Sequence, residues 1–327
     1  MPSRRAVEWI NASAALLALG LSTLAALRGA PLAAAGVRAP AWDGPGAVEP
    51  VDSPAGGRAL ADATGTLIPL THRARIASGS SLADPLLLAL ASPEQIVAFS
   101  AGASRARDAY RYAGKPSVDA TRQLEQVIEL KPDLVLVNSL GEHARVQRLR
   151  DAGLVVFDLG PMWGVQTFLR NVSAVGWLLG RHDVAREFAG HFQARLDAIA
   201  QHVPRAARRT ALYVSVEANQ LYGGTRGTSF HDVLEYAGLV DVAARDFQGW
   251  PSYDPEQLLM LDPDLIVTHT GMRSTLCEQG QFRTLRACQS EDAVLEVDPR
   301  LLDDAGIGML DCAEAIHRAA YPEVKPP

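Results

Sequence analysis

The sequence predicts an α/β protein: two Rossmann-like lobes with parallel sheets, bridged by a long α-helix, with a ligand cleft between the lobes. Three observations predict it. The stretch from Leu124 to Val137 returns 131 residues later from Pro255 to Thr268, identical at six of fourteen positions and exchanging one aliphatic residue for another at four more. Each copy reads as a short helix with a glutamate near its start, Glu125 or Glu256, stopped by Pro132 or Pro263 and followed at once by an apolar strand. Those strands, Leu-Val-Leu-Val and Leu-Ile-Val, lack polar alternate positions, as suits a parallel sheet covered on both faces. Between the copies, 183–202 carries Val184, Phe188, Phe192, Leu196 and Ile199 at steps of four and three. At about 1.5 Å per residue that helix is about 30 Å long, enough to join two lobes.

The motif of Glu, two aliphatic residues and Leu-x-Pro-Asp-Leu before a strand, once per lobe, resembles the periplasmic substrate-binding proteins of ABC importers for iron-siderophores, haem and cobalamin. The match runs from about Arg75 to Glu323. The resemblance implies a ligand carrier and not an enzyme, with a metal chelate as cargo and no resident cofactor. It implies a monomer whose partners are an importer permease and, through it, an ATPase. Glu125 and Glu256 fall where that family docks onto permease arginines, and the helix 183–202 where it links its lobes with small opening motions.

Taken in order, residues 1–35 read as an export signal. Arg4 and Arg5 precede an Ala/Leu-rich apolar run from Ile10 to Leu27, and Ala33-Ala34-Ala35 offers a small-residue cleavage site. The alternative is an uncleaved membrane anchor, since Trp9 to Leu27 carries no charge over 19 residues. No cysteine lies near the cleavage site, so the lipid-anchored form common in the resembled family is not expected. Cleavage would leave 28 basic against 36 acidic residues, more acidic than the full chain's −6 and no attraction for nucleic acid or an anionic membrane. Residues 36–65, rich in Pro, Gly and Ala, read as a flexible linker.

The N-terminal lobe is expected over 66–163. Its first strand, Arg75 to Ser78, runs into Ser78-Gly79-Ser80-Ser81, which resembles the family's Ser-Pro-Ser opening with glycine in place of proline. Ligands of open α/β sheets bind beyond the carboxyl ends of strands, which puts Ser80 at the cleft. After the strand at 95–99, Arg105, Arg107, Tyr110, Arg111 and Tyr112 offer guanidinium groups for carboxylates and rings for a planar ligand, or else a solvated basic face. Trp163, after the strand at 154–157, is either a stacking platform or the staple of the following helix.

Connecting helices are expected over 164–204 and the C-terminal lobe over 205–322. Here Thr210 to Val216 is a strand and Tyr222 follows it. Gly227-Thr228-Ser229-Phe230 and Ala237-Gly238 resemble a family signature with two extra residues, including Arg226. The spacing of Trp250 before Glu256 is similar to that of the cobalamin-binding branch, although Asp119 stands at the equivalent place in the first lobe. Asp304-Ala305-Gly306-Ile307 departs from the family's Arg-Pro-Gly-Pro. The ligand-binding candidates are therefore Ser80, Tyr110, Trp163, Tyr222, Arg226, Trp250 and His269.

The sequence leaves two other functions open. His143, His231 and His269, each at or after a predicted cleft loop, are weak candidates for holding bare zinc or manganese. A membrane-anchored α/β sensor or enzyme rests on fold class alone, and the chain has no Gly-x-Ser-x-Gly elbow and no His-Glu-x-x-His. Cys277 and Cys288 are a disulfide candidate closing a short loop, with Cys312 suited to a buried thiol.

Overall fold

The computed structural model describes residues 48–324 apart from 121, 139–142, 219, 279 and 280. The export signal expected over 1–35 and the first part of the linker expected over 36–65 lie outside the described residues. No helix among those described is long and apolar enough to cross a membrane.

The rest of the 36–65 stretch is not a tether. Strands β1 (Val51–Asp52), β2 (Arg58–Ala61) and β3 (Leu67–Pro69) form an antiparallel sheet in the order β1-β2-β3. Ala59, Leu60 and Ile68 are its buried residues. Asp62, in the turn after β2, accepts hydrogen bonds from the Thr64 and Thr66 amides, at 2.8 and 3.0 Å, and from the guanidinium of Arg150. The glycines that suggested flexibility supply turns instead, with Gly56, Gly57 and Gly65 all at positive φ.

The first lobe follows with β4 (Ile76–Ser78), α1 (Ala83–Leu90), β5 (Ile96–Ser100), β6 (Ser117–Val118), α2 (Leu124–Glu129), β7 (Leu134–Val137), α3 (His143–Asp151) and β8 (Val156–Asp158). Its five strands are parallel in the order β6-β5-β4-β7-β8. Ala77, Ala98, Val127, Val135, Val146 and Leu149 make one of its cores.

Two helices come next, α4 (Val165–Leu178) and α5 (His182–Gln201). They touch closely where Gly176 faces Ala185: a Cβ on Gly176 would come within 2.3 Å of that of Ala185. Phe168 of α4 packs on Phe192 of α5 with ring centroids 4.9 Å apart. Asp183 lies in the first turn of α5 and pairs with Arg186 at 2.8 Å.

The second lobe holds β9 (Thr210–Tyr213), β10 (Ser215–Glu217), β11 (Gln220–Tyr222), α6 (Ser229–Tyr236), β12 (Val240–Asp241), β13 (Ser252–Tyr253), α7 (Pro255–Leu261), β14 (Leu265–His269), α8 (Met272–Cys277), β15 (Val294–Val297), α9 (Pro299–Leu302) and α10 (Gly308–Ala320). Its parallel sheet runs β12-β9-β14-β15. The strand expected from Thr210 to Val216 breaks at Val214. Its second half leaves that sheet to join an antiparallel one, β10-β11-β13.

The duplicated motif does the same work in both lobes. Lys131 and Asp262, at equivalent places before the prolines, have positive φ of 48° and 31°, so each helix ends on a left-handed residue. The aspartate after each proline then pins the start of the lobe's first strand. Asp133 Oδ2 accepts from the amides of Ala74 and Arg75 at 2.6 and 3.0 Å. Asp264 Oδ2 accepts from the amide and hydroxyl of Thr210 at 2.9 and 2.7 Å. In consequence β4 lies beside β7 and β9 beside β14, both parallel.

Candidate functional site

A cavity of about 970 Å³ opens where three walls meet. Ser81, Leu82 and Pro85 at the start of α1, with the segment from Gly102 to Tyr112 beyond the carboxyl end of β5, make the first-lobe wall. Phe188, His191, Phe192 and Arg195 of α5 make the back, and residues 299–311, beyond the carboxyl end of β15, make the second-lobe wall. Strand ends facing each other across a helix are what an open parallel sheet presents to a ligand.

The walls are strongly charged. Arg107 reaches across from the first lobe to hydrogen-bond the carboxylate of Asp311 on α10. Arg111 pairs with Asp108 at 2.9 Å, and Arg195 on α5 with Glu314 on α10 at 2.7 Å. Arg300 pairs with Asp298 at 2.7 Å and, with its own amide, holds that carboxyl down to about 2. Asp304 is folded inward, accepting from the amides of Gly306 and Gly308 at 2.7 and 3.1 Å, and burial raises its pKa. A Cβ on Gly308 would sit 2.4 Å from Asp304 Oδ2, so glycine is required for this turn.

The structure puts the seven ligand-binding candidates outside the walls of this cavity. Ser80 turns into the helix start, its hydroxyl accepting from the Leu82 amide at 3.1 Å, and the neighbouring Ser81 lines the cavity instead. Tyr110 is 80% exposed and outside the lining, while Arg105, Arg107, Arg111 and Tyr112 around it line the wall. Tyr222 gives its hydroxyl to Gln220, and the carbonyl of Arg226 accepts from the Gly249 amide at 2.9 Å in a loop of the antiparallel sheet. Trp163 is half-exposed at the entry to α4.

Trp250 and His269 belong to one aromatic row. Trp250, 57% exposed, stands edge-on to Phe230 at 5.2 Å, and Phe230 stacks on Tyr213 at 3.8 Å. Tyr213 meets His269 at 6.0 Å, and His269 Nε2 lies 2.8 Å from Asp303 Oδ1, a residue of the cavity wall. The hydrogen bond to Asp303 raises the His269 pKa.

The metal candidates are not brought together. His143 opens α3, and His231 Nδ1 sits 2.8 Å from Asp241 Oδ2, which also takes the Thr225 hydroxyl at 2.6 Å. Among the described residues no three His, Cys, Asp or Glu side chains gather as a metal site.

At the start of α4 the connecting helices meet the second lobe: the Val165 amide donates to Asp232 Oδ2 of α6 at 2.8 Å, and burial raises the Asp232 pKa. Cys277 and Cys288 are joined in a disulfide with Cα atoms 5.4 Å apart. Cys312 is buried and its thiol is pushed up to about 12, chiefly by that burial. Glu125 and Glu256 are exposed in the first turns of α2 and α7. Glu256 follows a reciprocal cap in which Asp254 accepts from the Gln257 amide at 2.7 Å and Gln257 from the Asp254 amide at 3.0 Å.

Sequence reasoning found the arginines of the first wall but missed the other two walls. Arg195 and His191 stand outside the apolar stripe of α5, and nothing in that period marks them as facing a cavity. Arg300, Asp303 and Asp311 follow the end of β15, where no local pattern relates them to the first lobe.

The family model described as periplasmic binding protein matches residues 76–294. An uncharacterized ABC transporter substrate-binding lipoprotein, YvrC of Bacillus subtilis, is 24% identical over 63% of this chain and 67% of its own. A cobalamin-binding protein of Halobacterium salinarum is 28% identical over 47% of this chain, which spans only 42% of that relative's length. Among solved structures, one called a possible iron-binding (periplasmic solute-binding) protein, from Staphylococcus epidermidis, superposes with a TM-score of 0.68 at 22% identity, covering 77% of this chain and 100% of that one.

Proposed function

Because the chain belongs to the periplasmic binding protein family, whose members bind ligands outside the cytoplasm and are not enzymes, we propose that it captures a metal chelate between its lobes and delivers it to an ABC importer permease. The carrying observation is the cavity of about 970 Å³ walled by both lobes and by the helix between them. That volume is at the upper end for small-molecule sites, and so suits a bulky cargo rather than a bare ion. Its arginine-bearing walls suit a chelate with an anionic group, and the rings of Tyr112, Phe188 and Phe192 give it apolar contact. Cobalamin and iron, the ligands in the names of two similar proteins, are consistent with that class.

Export by the segment 1–35 would bring the chain to the compartment where such a carrier works. Glu125 and Glu256, at equivalent places in the two lobes, are the proposed contacts to the permease. The test is to purify the full chain without chelators and examine it by absorbance and mass spectrometry. A retained or readily bound metal chelate, at up to one per chain, is expected. Binding of a metal-free sugar or amino acid with no affinity for any chelate would overturn the proposal.

A further inference from the structure

Resting on the reading of the cavity as a chelate site, we infer that this cavity is built for a bulky chelate of low net charge carrying a single anionic group, and that Arg105 receives that group. The inference comes from how the cavity's cations are partnered. Five arginines line it, but four aspartates line it as well. Arg107 is engaged by Asp311 and Arg111 by Asp108, both of which are lining residues themselves. Arg195 and Arg300 are engaged from just behind the wall by Glu314 and Asp298. Among the described residues, Arg105 is the lining arginine with no carboxylate in ion-pairing range, and it is exposed to the cavity mouth.

The paired arginines are not reserves that a ligand can take at no cost. Exposed ion pairs are individually weak, so a ligand oxygen could displace Asp311 from Arg107. The displaced carboxylate would nevertheless stay in the wall, beside the incoming negative charge. A ligand with several negative charges therefore meets a displaced carboxylate for every further arginine it gains, whereas a ligand with one meets Arg105 alone. Discrimination by like charge in the walls is a common source of specificity.

Calorimetric titration of the full chain with two probes tests this: cyanocobalamin, which is neutral overall with one phosphodiester, and a triply negative ferric tris-catecholate. The native chain should bind the corrinoid about tenfold or more tightly than the tris-catecholate. Asp311→Asn should narrow that preference, strengthening the tris-catecholate about fivefold more than it strengthens the corrinoid. Arg105→Gln should weaken the corrinoid about tenfold, and Arg105→Lys should restore most of that. A native preference for the tris-catecholate, or a preference that Asp311→Asn leaves unmoved, would overturn the inference while leaving the chelate-carrier reading intact. Failure of the native chain to bind either probe or any other metal chelate would overturn both.

Discussion

Gly164 has φ of 137°, and a Cβ there would fall 2.2 Å from Asp232 Oδ2, the oxygen that accepts from the Val165 amide. Gly164→Ala thus combines an unfavourable backbone with a clash where the connecting helices meet the second lobe, and should cost about 2 kcal/mol or more in urea unfolding. His231 gives a prediction of opposite kind. Its hydrogen bond to Asp241 raises its pKa above the ordinary 6.5, so the folded chain holds that proton more tightly than the unfolded chain. The pair then contributes fully below about pH 6.5 and its contribution fades as pH climbs through the higher folded value. Between about pH 6 and about pH 8 the native unfolding midpoint should fall more than that of His231→Gln; equal slopes would remove the pair from the stability balance. Roles at this scale were the least legible in the sequence. Nothing local to His269 or His231 announces the carboxylate facing it, since Asp303 and Asp241 arrive from other elements.

Elements were more legible where one period dominated. The helix expected at 183–202 forms at 182–201, and the apolar run Leu134 to Val137 is a strand buried along its whole length. The region 51–69 failed because its strands are two to four residues long and separated by glycines, too short for an alternation to show. Leu60, 1% exposed in β2, separates a packed sheet from a tether. Leu60→Ala should cost about 2 to 4 kcal/mol, whereas no change would restore the tether. The disulfide has a similar reach. It closes the loop from Cys277 to Cys288, and Arg286 within that loop pairs with both Asp262 and Asp264 at the end of α7 and the start of β14. Its reduction should lower stability by about 2 to 3 kcal/mol, read by unfolding with and without reductant.

At the scale of the whole molecule the duplication explains most of what was legible. A motif that ends a helix, pins the neighbouring strand and starts its own appears once per lobe, so the sequence displayed both sheets but not the cavity between them. The cavity is made by residues more than 200 positions apart, such as Arg107 and Asp311, and no local pattern relates them. The same duplication sets Glu125 and Glu256 at equivalent places, where, on the proposed docking role, two carboxylates would meet two arginine clusters of a permease with salt-sensitive attraction. Glu125→Lys with Glu256→Lys should leave cargo affinity nearly unchanged and abolish transporter-stimulated ATP hydrolysis. Full stimulation by the folded, loaded double variant would reduce both residues to complements of their helix ends, an effect of about 0.3 to 1 kcal/mol. The claim on which everything else depends is that cargo sits in the cavity between the lobes, and blocking that space tests it most directly. Ala106 lines the first wall, and Ala106→Trp would fill part of the cavity from a short loop outside the sheets. Calorimetric titration with the chelate that the native chain binds should show at least about a hundredfold loss of affinity in Ala106→Trp with unfolding unchanged; native affinity in that folded variant would place the cargo elsewhere.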